Sequence, residues 1–152
     1  MRKVVVLAIF LIAIFAGCTE KEKAVVMNLK ELSEDVETET NNETHYFFSG
    51  FKSLDDGDTL IIEDEIYQKQ IVQNYTLLLF ASMPSSGFYF DGNLTDFNVG
   101  DKVRIKLHIG VDHLQQFDGQ NVWTIEWEVL KEGWDFEKHS WKPLPTNVIQ
   151  HA

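Results

Sequence analysis

Side chains able to do chemistry are few in this sequence and fall into small groups. Cys18 is its only cysteine, and a thiol can act as a nucleophile, a metal ligand or a site of covalent modification. His108, Asp112 and His113 crowd together, and imidazole with carboxylate suits a divalent transition metal. A metal needs three or four converging ligands, and this spacing matches no zinc signature. Solvated side chains are the simpler reading, and no metal is assigned. Lys102, Arg104 and Lys106 recur at every second position, which puts them on one face of a strand. Such a stripe beside aromatic residues can track a nucleic-acid single strand. Cross-strand pairing with Glu126 and Glu128 fits an acidic chain better. Asp55, Asp56, Glu63, Asp64 and Glu65 offer neighbouring carboxylates, but charged residues in surface runs are ordinarily solvated. There is no Gly-x-Ser-x-Gly elbow and no Gly-rich phosphate loop. The chain reads as a non-enzyme, with no cofactor implied.

The setting of Cys18 says more than its thiol. Arg2 and Lys3 precede an unbroken apolar run over residues 4–16, and Gly17 and Cys18 follow. A charged start, a short apolar stretch and small residues make the layout of a secretory signal peptide. The run is short of the roughly 20 apolar residues a spanning helix needs. Phe15-Ala16-Gly17-Cys18 resembles the lipobox of prokaryotic lipoproteins, with Phe15 where an aliphatic residue is usual. The resemblance implies that residues 1–17 are a leader and that Cys18 carries a multi-chain lipid. It also implies a cell-membrane location on the extracytoplasmic face. With Cys18 spent on the anchor, no cysteine is left for a disulfide or a thiol nucleophile.

The full chain carries a formal charge of −11. Removing the leader takes away Arg2 and Lys3 and no acid, which leaves 11 basic against 24 acidic residues, a net of −13. Such a surface repels nucleic-acid phosphates and anionic lipid headgroups. Asn42, Asn74 and Asn93 each open an Asn-x-Thr sequon, an acceptor pattern for N-glycosylation in a host that modifies exported proteins.

The elements that must position these residues are strands. Residues 18–44 read as an acidic flexible tether, with room for a short helix at 27–36, because residues 33–44 are too polar to order themselves. A domain is expected over 45–152. Strands are expected at 59–68, 75–83, 87–91, 102–110 and 122–130, with 110–121 as a polar loop. Residues 102–110 alternate cleanly, with Val103, Ile105, Leu107 and Ile109 on one face. Trp123 and Trp127 share the apolar face of the last strand and read as core. The tail, with Trp134, Phe136 and Trp141, is expected to fold back over the domain.

Five strands with Gly-Asp turns at Gly57-Asp58 and Gly100-Asp101 resemble the OB-fold, a small all-β barrel; a small β-sandwich is the alternative. In an OB-fold the ligand face comprises the second and third strands and the loops between strands 1 and 2 and between strands 4 and 5, here 68–74 and 110–121. The resemblance therefore implies a ligand-binding site at Tyr75, Tyr89, His113 and Phe117, with Tyr89 turned outward between Phe88 and Phe90. The functional expectation is a lipid-anchored extracytoplasmic binding module whose partner is an envelope protein or a small or oligomeric ligand. An accessory structural subunit of a membrane complex is the alternative. A single-strand nucleic-acid domain is disfavoured by export and acidity.

Overall fold

A computed structural model describes residues 22–41 and 45–152. Residues 1–17, Cys18 and Asn42 lie outside the described residues. The chain is mostly β and builds one large, mainly antiparallel sheet. Its elements run β1 (Ala24–Met27), α1 (Leu29–Asp35), β2 (Val36–Asn41), β3 (His45–Phe51), β4 (Thr59–Val72), β5 (Tyr75–Phe80), β6 (Met83–Asp91), β7 (Lys102–Asp118), β8 (Asn121–Leu130), β9 (Trp134–Asp135), β10 (Ser140–Trp141) and β11 (Ile149–His151).

The long strand β4 organises the sheet. Its first half pairs antiparallel with β7, from Thr59 opposite His108 to Glu65 opposite Lys102. A register shift between Ile66 and Gln68 then lets its second half pair with β5, as a bulge bends a strand and increases its twist. Leu60, Ile62 and Ile66 of β4 and Val103, Ile105, Leu107 and Ile109 of β7 are fully buried. The alternation read in the sequence thus puts its apolar face in the core. Lys102 and Arg104 stand opposite Glu65 and Glu63 of β4, with Arg104 in an ion pair with Glu63. The expected partners Glu126 and Glu128 belong to β8, which meets β7 only from Ile109 onward.

Four expectations are corrected. Residues 24–41 do not form a loose tether. β1 pairs in parallel with the start of β4, and Met27, Leu29 and Leu32 join the core. The apolar residues before 33 find a partner surface, which composition alone does not reveal. The expected short helix is α1, opened by an Asn28–Glu31 capping box. Asp64 accepts from Leu29 N at 3.0 Å and from Ser82, fastening the helix start to the sheet. Second, β6 starts at Met83, so Pro84 sits inside a strand at the end of the sheet path, where a missing donor is tolerated. Third, residues 110–118 continue β7 and form a long hairpin arm with β8. Trp123 on that arm is 45% exposed, because the arm extends past the core that would have covered it. Fourth, the ladders do not close into a barrel. One parallel bridge, Phe90 to Leu144, links β6 to the segment leading into β11, and β11 pairs antiparallel with β7.

Two glycines have distinct reasons, close approach at Gly87 and backbone conformation at Gly50. A Cβ on Gly87 would sit 1.7 Å from the Leu78 carbonyl oxygen of β5. A Cβ on Gly50 would meet only the mobile end of the Glu128 side chain, at 2.5 Å, and it is the φ of 154° that favours glycine there.

Candidate aromatic cleft

The tail determines where a site can form. Trp134 begins β9 and is anchored from within: its indole Nε1 donates to Asp112 Oδ2 at 2.7 Å. His139 Nδ1 lies 2.6 Å from the same oxygen, and the His113 N–H donates to Oδ1 at 2.8 Å. Asp112 is buried. Burial alone would raise its pKa, but the bonds from His139, Trp134 and the His113 backbone outweigh it, and the carboxyl lies below its ordinary value. Trp134 meets Trp127 and Trp141 edge to face, at ring separations of 6.2 and 4.9 Å. One buried carboxylate and three indoles thus hold the β9–β10 turn against the hairpin arm.

Beyond β10 the chain becomes a strap alongside β6. Leu144 N donates to the Tyr89 carbonyl and the Asp91 N–H donates to the Leu144 carbonyl, both at 2.8 Å. One residue pair earlier the strap turns away, because Lys142 N donates to the Gly133 carbonyl at 2.9 Å. Strap and strand diverge, and a cleft of about 580 Å³ opens between them. Tyr75, Phe88 and Tyr89 form the sheet wall. Trp141, Lys142 and Pro143 form the strap wall, with Leu130 and Gly133 also lining the space. Among the described residues, Lys142 is the one charged residue of the lining. Tyr89 is 50% and Trp141 60% exposed, so both rings offer faces to an incoming group. A mainly apolar concavity with a few polar tips is the usual form of a small-ligand site.

Of the four residues expected to bind ligand, the structure brings Tyr75 and Tyr89 together here. His113 and Phe117 lie on the hairpin arm and do not line the cleft. They were expected nearby because 110–121 read as the loop between the fourth and fifth strands of an OB-fold; pairing with β8 carries them away. Trp141, Lys142 and Pro143 were missed as lining. The signal available was the aromatic-rich tail, whose folding back was foreseen without its position. His108, Asp112 and His113 do not converge: His108 pairs with Glu132, Asp112 with His139, and His113 with Glu126. Asn74, in the β4–β5 turn, and Asn93 are exposed.

A second, more polar hollow of about 460 Å³ lies where β3 meets the base of the hairpin arm. Glu37, Asp55, Glu126 and Glu128 line it with Lys52. Burial raises the Glu128 carboxyl above its ordinary value, and the negative charges of Asp55, Glu37 and Asp56 push it the same way. The N–H of Phe51, which donates to it at 2.9 Å, opposes them only in part.

The chain matches no protein-family model, no curated protein and no solved structure.

Proposed function

We propose that this chain is a lipid-anchored binding module of the extracytoplasmic membrane face, built on an open sheet with OB-like strand order, with the aromatic cleft as its ligand site. The observation that carries the binding reading is the cleft itself, with the Tyr75, Tyr89 and Trp141 rings lining one concavity. Ring faces with hydroxyl and ammonium tips suit a ligand that is flat, largely uncharged and rich in hydroxyls. The sugar rings of an oligosaccharide fit that description, and oligosaccharides are among the ligands that OB-folds take.

Support for the OB-like arrangement comes from the order of neighbours. β4 pairs with β7 through its first half and with β5 through its second. The segment from Leu144 to β11 runs parallel to β6 at one bridge and antiparallel to β7 at its end. In this reading that segment is the fifth strand, and β8 belongs to an arm inserted between the fourth and fifth. Support for the anchor is the lipobox-like run ending at Cys18 and the apolar stretch before it.

The test is thermal unfolding of the purified protein against divalent metals, oligosaccharides and single-stranded oligonucleotides. A ligand that binds only the folded state adds about 2.7 kcal/mol of stability at a hundredfold excess over its dissociation constant. The reading expects the midpoint to rise with oligosaccharides. A rise confined to metals or oligonucleotides, or no rise at all, overturns it.

A further inference from the structure

We infer that the tip of the β7–β8 arm is a second membrane contact, a wedge of Phe117, Val122 and Trp123 that rests in the lipid interface beside the anchor. The inference rests on the proposal that the chain is membrane-attached through its N-terminal segment. It adds which face of the molecule meets the bilayer.

Topology supplies the direction. β1 is parallel to β4 and begins opposite its first residue, Ala24 against Thr59. The chain therefore enters the fold at the end where β4 starts. Lys23 is fixed there: its N–H donates to the buried Asp58 at 3.0 Å, and its carbonyl accepts from Thr59 N at 2.9 Å. β7 runs antiparallel to β4, reaches Thr59 at His108, and continues outward as the arm. Entry point and arm leave the same end of the sheet.

Lengths make contact hard to avoid. Four residues lie between Cys18 and Lys23, and the five steps from one to the other span at most about 18 Å. From Ile109 to Phe117 the arm extends roughly 27 Å at strand rise. An arm tilted by less than about 50° from the membrane normal therefore reaches the surface before the linker is fully stretched.

The chemistry of the tip fits lipid. Phe117 is 70%, Val122 56% and Trp123 45% exposed. Phe117 pairs with Val122 across the ladder, while Trp123 pairs with Gln116, so apolar side chains stand on both faces of the tip. One flat protein surface covers only one of those faces; a lipid interface surrounds both. In a strongly acidic protein, residues 114–125 contain a single acid, Asp118, and no base. Repulsion from anionic headgroups is weak at this point. Indole rings prefer the boundary between water and acyl chain.

The experiment uses the full chain, expressed with its own N-terminal segment and purified from membranes, in phosphatidylcholine vesicles with brominated acyl chains. Vesicle flotation reports attachment, and quenching of tryptophan emission reports insertion. The expected result is flotation with quenching that disappears in Trp123→Phe, a conservative change at an exposed site, checked by an unchanged unfolding midpoint. Flotation with equal quenching in wild type and Trp123→Phe overturns the wedge and leaves the anchor standing. Failure to float overturns the anchor and the wedge with it. Trp123 shielded from both bromolipid and aqueous acrylamide marks a protein contact at the tip, and also overturns the inference.

Discussion

Glu128 and Asp112 show how one kind of side chain serves two purposes at the residue scale. Both are acids on the paired strands of the arm. Asp112 is surrounded by donors and held ionised; Glu128 sits among acids and is biased toward its protonated form. The raised folded-state pKa of Glu128 means that the native state binds its proton more tightly than the unfolded chain does. Its contribution is then fully present below the ordinary glutamate pKa and lost as pH rises through the raised value. Glu128→Gln keeps an oxygen for the Phe51 N–H and removes the charge. The variant should have a higher unfolding midpoint than wild type at pH 7, with the difference shrinking toward pH 4. Thermal scans across pH check this; an equal or lower midpoint at pH 7 contradicts it. Little of this was legible in the sequence. Asp112 drew notice beside two histidines, but its partners Trp134 and His139 lie more than 20 residues away and leave no local pattern.

Elements were legible where periodicity is local and illegible where pairing decides. β7 announced itself by alternation over 102–110, and all four inward residues are buried. The outer half of the same strand was read as a loop. Its residues are mostly polar, and the ladder with β8 holds it extended. β1 and α1 were read as tether with a short helix for a similar reason: four strand residues and seven helical ones carry weak signals until β4 and Asp64 receive them. Gly87 is the sharpest element-scale constraint. It was read as the first residue of a strand, whereas it lies inside β6, where β5 passes against it. A Cβ there cannot be relieved by a rotamer change, since the obstacle is backbone. Gly87→Ala should cost about 4 kcal/mol or more, among the largest effects of a single substitution. Urea unfolding checks it, and a loss below about 1 kcal/mol, within the common range, would show that β5 and β6 separate easily.

At the scale of the whole molecule, the tail connects fold to function. Three indoles and Asp112 pin the β9–β10 turn, Leu144 ties the strap to β6, and the divergence of strap from strand leaves the aromatic cleft. One wall of the cleft was legible because Tyr75 and Tyr89 lie on adjacent paired strands. The opposite wall was not, because Trp141 reaches it only through long-range contacts. The measurement that tests the binding account most directly is a titration of the intact protein with an oligosaccharide that raises its unfolding midpoint, repeated on Trp141→Ala. Trp141 is 60% exposed, and Trp127, Trp134 and Asp112 remain to hold the β9–β10 turn, so its removal should leave the fold intact. The account predicts at least a tenfold loss of affinity, about 1.4 kcal/mol, with circular dichroism unchanged. Unaltered affinity in a folded Trp141→Ala protein would contradict the cleft as the binding site.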